Sequence, residues 1–234
     1  MRGRTASGTG AAAAAAAVGI ALHVSAAGVP DMQAVEAMEK FLARPASAHQ
    51  YRASRRLEAS GSGQRGWLDV QTSFTTASGL QYEITAEGGS GYIRTRVLHS
   101  LLDEERRLIA NGRAPGVAIS TANYLFRPEG INEEGLVVVH MKARRKDRSL
   151  INGRLFLMPL DGDLVRVEGT LAKNPSFWVT RVNVVRSYRR IDGALMPVEL
   201  DTTAQLRLLG SSALRMTYRY SHIDEQPVSD HQLP

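Results

Sequence analysis

Three short segments have the composition of chemistry-bearing sites. Gly61-x-Gly63-x-x-Gly66 matches the dinucleotide-binding string, but that fingerprint needs a strand before it and a helix after it. Here both flanks alternate like the two arms of a hairpin, which argues against a nucleotide. Gly88-Gly89-Ser90-Gly91 precedes a helical stretch carrying Arg94 and Arg96. Free N–H groups at a helix start, with arginines beside them, can hold a phosphate or carboxylate headgroup, so Gly89, Ser90, Gly91, Arg94 and Arg96 form a candidate anion site. The competing reading is a strand-to-helix connection capped by Ser90. Arg144-Arg145-Lys146-Asp147-Arg148 is a basic hairpin tip. It suits an anionic membrane surface or an acidic envelope partner, or it is simply solvated.

Residues that usually carry catalysis or metals do not converge. His49, His99, His140 and His222 are scattered, with no i, i+4 pair, so no metal site is expected. There is no Gly-x-Ser-x-Gly elbow and no paired general acid and base. The chain has no cysteine, which excludes disulfides, thiolate chemistry and cysteine-ligated zinc. No nucleic-acid-binding module accompanies the basic tip, and no cofactor is implied.

The elements that would position a site are clearer. The chain has 234 residues, 43% hydrophobic and 22% charged, with a formal charge of +6. That is enough for one domain of ordinary solubility. Met1 to about Ala27 reads as a signal peptide: Arg2 and Arg4, an apolar stretch from Ala11 to Val24, then small residues at Ser25-Ala26-Ala27. Cleavage is expected near Ala26 or Ala27, giving an exported, periplasmic protein. The expected domain runs over 28–225, with a loose polar tail over 226–234.

Asp31 to Ala43 has a helical stripe of Val35, Met38, Phe41 and Leu42. Three alternating segments follow, over 51–59, 67–74 and 80–87. A second helix spans about Tyr92 to Ala110, with Ile93, Val97, Leu101 and Leu108 on one face, widened by Leu98, Leu102 and Ile109. Beyond a short extended segment over 119–127, six more strands are expected, ending near Ile223. In Met196 to Leu208 and in Leu214 to Tyr220, one parity is apolar and the other polar, the mark of half-buried strands.

A sheet of about ten strands must curl or split. The expected fold class is therefore α+β: a curved antiparallel β half-barrel of about ten strands with two helices packed on the concave face. On the apolar parity, Trp178, Val182, Val184, Tyr188, Leu200, Leu206, Leu214, Met216, Tyr218 and Tyr220, with Val97 and Leu101 of the helix, are candidates to line a ligand cavity. The alternative is that they are packed core.

The order helix, meander, helix, long antiparallel run resembles the periplasmic lipoprotein-carrier superfamily (LolA/LolB-like). The likeness is carried by Asp163-Leu164-Val165-Arg166-Val167-Glu168-Gly169, Pro175-Ser176-Phe177-Trp178 and the stretch from Tyr188 to Pro197. The resemblance implies a non-enzymatic carrier that shelters an acyl chain, a lipoprotein lipid moiety or another apolar ligand. It also implies a second possibility, a regulatory or protein-interaction module with the same fold and a closed core. The row Asp103, Glu104, Glu105, Arg106, Arg107 departs from a typical carrier helix, and leaves open whether that helix is a mobile lid or a fixed plug.

Overall fold

The computed structural model describes residues 31–44, 48–207 and 210–228. The leader falls outside the described residues, as does most of the tail. Helix α1 (Met32–Ala43) is followed by the meander β1 (Gln50–Gly61), β2 (Gln64–Thr75) and β3 (Gly79–Gly89). Helix α2 comprises an α turn Gly91–Ile93, a π segment Arg94–His99 and an α segment Ser100–Ala110. Then come β4 (Tyr124–Ile131), β5 (Val137–Ala143), β6 (Ile151–Leu157), β7 (Leu164–Leu171), β8 (Val179–Ile191), β9 (Ala194–Leu206), β10 (Gly210–Ile223) and the two-residue β11 (Gln226–Pro227).

All strands join one antiparallel sheet in the order β3-β2-β1-β10-β9-β8-β7-β6-β5-β4, with β11 on β10. The expected α+β half-barrel is what the chain forms. The last long strand returns to the first, Leu57 facing Met216, while β3 and β4 remain as unpaired edges. The Gly61–Gly66 string is the β1–β2 hairpin: Ser62 and Gly63 both have positive φ, the geometry of a tight primed turn rather than a phosphate loop. The sheet extends past the expected domain end, because Gln226 and Pro227 pair with Ile223 and His222.

Alternation places one parity of each strand on the concave side, where it forms two separate apolar clusters. The first lies under α2 and joins Leu57, Leu68, Val70 and Met216 to Ile93, Leu98 and Leu102. The second lies under α1 and joins Val137, Val139, Met141, Leu155, Leu157 and Leu164 to Ala34, Ala37 and Phe41. The helix stripes differ in phase from the expected ones. In α1 the centre of the buried face is Ala34, Ala37 and Phe41, with Val35, Met38 and Leu42 at its margins. Small side chains let the β6–β7 turn press on the helix, and Gly162, at φ +71°, has no room for a Cβ against the Ala37 carbonyl. In α2 the buried residues are Ile93, Leu98 and Leu102, while Val97 and Leu101 are only half-buried. The π segment inserts an extra residue, so the stripe steps by five and then by four.

Candidate functional site

The centre of the concave face is charged. Cross-strand register aligns Leu68, Leu57, Met216, Leu200, Arg186, Val167, Leu155 and Val139 in one row from β2 to β5. The neighbouring row sets Val70, Arg55 and Tyr218 side by side. Arg55 and Arg186 therefore point into the space between the two apolar clusters. Arg55 is only 2% exposed. Its Nη2 donates to Glu105 Oε2 of α2 at 2.7 Å and to Tyr218 Oη at 3.4 Å, and its guanidinium lies 4.7 Å from the Tyr218 ring centre. Arg186 lies 5.4 Å from the Tyr188 ring centre.

The electrostatics of this patch do not balance internally. Burial pulls the Arg55 guanidinium down, but Tyr218, Glu105 and Tyr51 outweigh it and its pKa stays above the ordinary value. For Arg186, Tyr188 leads in raising the pKa, against burial. Both groups are cations at any physiological pH. Tyr51 and Tyr220 offer no counter-charge, because burial raises their pKa values and keeps them neutral. Among the described residues, Glu105 is the one carboxylate paired with Arg55. Three guanidinium nitrogens, Arg55 Nε, Arg55 Nη1 and Arg186 Nε, are buried with no hydrogen-bond partner. Each such orphan donor costs about 1–3 kcal/mol. Arg94 Nε and Arg166 Nε are also orphaned, but those side chains are ion-paired to Glu87, and to Glu134 and Glu168.

Tyrosines frame the patch. Tyr218 stacks on Tyr220, which meets Tyr51 edge-on, and Tyr51 stacks on Phe74. Tyr220 Oη donates to the Pro197 carbonyl at 2.8 Å. Tyr82 Oη donates to Asp103 Oδ1 at 2.7 Å, a second polar tie between sheet and α2.

The residues expected to line a cavity fall into distinct places. Met216, Tyr218 and Tyr220 are buried under α2, with Val97, Leu101, Leu200 and Leu214 packed around them. Tyr188 packs on the α1 side. Val182 and Val184 are buried on β8 but belong to neither cluster, and Leu206 is half-buried at the end of β9. Trp178 is elsewhere: β8 begins at Val179, so Trp178 sits in the preceding turn, 59% exposed. Five cavities of about 350–500 Å3 indent the described residues. None of these five has a residue of either helix in its wall, and beneath α2 the buried side chains of the first cluster pack on Ile93, Leu98 and Leu102.

The glycine-rich helix start serves its own fold. Ser90 Oγ accepts from the Ile93 N–H and donates to Gln64. Gly89, at φ +82°, lies too close to the Arg65 carbonyl for any side chain, and Gly91 opens the helix. Arg94 pairs with Glu87, which also meets His99 at 3.1 Å, and Arg96 is exposed. In the basic tip, Arg144 and Arg145 brace the segment before β4 through the Thr121 carbonyl and the Asn123 side chain. Among the described residues no three His, Asp or Glu side chains come together as a metal site.

Arg55 and Arg186 were not among the residues singled out from the sequence. The signal was there: each is a cation on an otherwise apolar parity, Ala53-Arg55-Leu57 and Val184-Arg186-Tyr188. A charge at such a position must be paired or functional.

No family model and no curated protein matches the chain. Among solved structures, it is similar to a LolA superfamily protein from Nitrosomonas europaea at 13% identity and a TM-score of 0.37, over 88% of this chain and 98% of that one. It is also similar to a DUF1329 family protein from Desulfovibrio piger at 6% identity and a TM-score of 0.36, over 80% and 88% of the two chains.

Proposed function

We propose that this chain is a non-enzymatic binding protein for an amphiphile with an anionic headgroup, held against the concave face of the sheet, with α2 as the displaceable cover. The observation that carries this reading is the pair of buried Arg55 and half-buried Arg186, with three buried orphan donors and one carboxylate, Glu105, bound to Arg55. A phosphate or carboxylate would supply the missing acceptors, since guanidinium binds both in bidentate fashion. The flanking apolar surface of Leu57, Leu68, Val70 and Met216 suits an acyl chain, whose burial contributes about 25 cal/mol per Å2 before ordering costs. Because that surface is covered by Leu98 and Leu102, the chain would enter where α2 leaves, and Glu105 would part from Arg55. The signal peptide expected from the sequence supports an activity outside the cytoplasm, and the proposed ligand class includes lipids and lipoprotein acyl groups.

The test is native mass spectrometry of delipidated protein with dodecyl phosphate and with dodecyl maltoside. One equivalent of the phosphate is expected, at least tenfold tighter than the neutral detergent of equal chain length. Equal binding of both, or of neither, contradicts the reading. The side chains packed under α2 favour the second reading, a closed-core interaction module. Capture of an envelope protein, lost on charge reversal of Arg148 and Lys146 with no uptake of amphiphile, would favour it.

A further inference from the structure

Antiparallel strands send their turns alternately to the two ends of the sheet, and the charges follow. At the end where α2 begins, the turns carry Lys146, Arg148, Lys173 and Arg207, with Arg65 and Arg181 at the adjoining strand starts and Asp147 as the acid of the 144–150 turn. No carboxylate occurs in residues 172–183 or 203–207. The opposite end carries Glu133, Glu134, Asp161, Asp192, Asp224 and Glu225 in its turns.

The basic end also carries the exposed aromatic pair of the chain. Phe177 and Trp178 are 72% and 59% exposed, with ring centres 5.7 Å apart in an edge-on arrangement. Arg207 ties both to the end of β9. Arg207 donates from Nε to the Phe177 carbonyl at 2.8 Å and from its backbone N–H to the Trp178 carbonyl at 3.0 Å, and its guanidinium lies 4.4 Å from the Phe177 ring centre. Two exposed aromatic rings beside Arg207, on an end whose turns carry more cations than acids, complement a negatively charged surface with an apolar layer just beneath it. Aromatic rings of this amphipathic kind settle at headgroup depth, and each nearby cation adds to attraction for anionic lipid.

We propose that this end is a docking surface for an anionic phospholipid bilayer, with Phe177 and Trp178 inserted at headgroup level. The concave-face site is not needed for it, so the two assignments are separable. The chain has two tryptophans, and Trp67→Phe leaves Trp178 as the reporter. The experiment is co-sedimentation and fluorescence of that full chain with vesicles of phosphatidylcholine and phosphatidylglycerol (3:1), and with phosphatidylcholine alone.

The expected result is binding to the anionic vesicles, a blue shift of Trp178 emission, and loss of binding in high salt. Phe177→Ala in the reporter chain should weaken partitioning about tenfold, and Lys173→Glu by at least about fivefold. Both positions are exposed, so the thermal midpoint should not move. Arg55→Met, which empties the concave site of one cation, should leave vesicle binding unchanged. Absence of binding to anionic vesicles, binding with no Trp178 shift, or full binding by Phe177→Ala overturns the proposal. So does retention of an acidic envelope protein by a surface that ignores the vesicles.

Discussion

The two helices cover equal roles on one sheet in different ways. Under α1 the contact is wholly apolar, with Val137, Val139, Met141, Leu155 and Leu157 fully buried against Ala34, Ala37 and Phe41. The C-terminal end of α1 is tied down as well: Asp163 binds both Arg44, at its C-cap, and Arg190 of β8, at 2.8 and 2.6 Å. Under α2 the contact is apolar only in part. Its centre is an ion pair between a buried arginine and a 30% exposed carboxylate, next to a second cation and orphan donors. An apolar cover has nothing to gain from leaving. A cover held over unsatisfied cations competes with any anion that satisfies them better. On the proposed reading, α1 is a structural helix and α2 a cover that a ligand can replace.

The largest expected effects fall on the α1 side. Leu157→Ala should cost about 2–5 kcal/mol, because a fully buried leucine leaves a cavity that cannot collapse. Urea unfolding measures this, and it should leave amphiphile binding per folded molecule unchanged. A loss of binding at constant fold would erase the distinction between the two halves.

Next come two substitutions in one ion pair that should differ in magnitude. Glu105→Gln leaves Arg55 buried without its counter-charge and should cost about 3 kcal/mol. Arg55→Met removes the buried cation and leaves Glu105, which is 30% exposed and can rehydrate, so it should cost less than about 1 kcal/mol or stabilise slightly. Only the second should abolish preference for dodecyl phosphate over dodecyl maltoside. Equal destabilisation by both would make the pair a structural brace.

Arg186→Met should behave like Arg55→Met in binding, with little change in stability. The smallest expected effect is at the second tie. The Tyr82 hydroxyl, against some burial, holds the Asp103 carboxyl below its ordinary value. A depressed carboxyl contributes stability that is full above its unfolded-state value and is lost as pH falls through the folded one. Tyr82→Phe should therefore lower the thermal midpoint slightly at pH 7, with the difference vanishing in acid.

Much of this architecture could be read from the residues. Half-buried strands must alternate, so Met196 to Leu206 and Leu214 to Tyr220 declared their inner faces, and the turns Asp192-Gly193 and Ser62-Gly63 marked hairpins. Two things were hidden for physical reasons. The stripe of α2 follows a π segment, and regular helical spacing selects Val97 and Leu101 over Leu98 and Leu102. The pairing of Arg55 with Glu105 joins a strand to a helix 50 residues away, which no local period reports. Trp178 illustrates the opposite error. Its parity matched Val182 and Val184, but the β8–β9 register shifts between Val179 and Arg181, and Trp178 lies in the turn before the strand.

The central claim is that α2, and not α1, opens to admit an anionic amphiphile. Amide hydrogen exchange of both helices, with and without dodecyl phosphate, measures it directly. The account predicts that residues 100–110 exchange through local opening at lower free energy than residues 32–43, and that dodecyl phosphate changes exchange in α2 while α1 stays as it was. Exchange of both helices only through global unfolding, unaltered by the ligand, would contradict it.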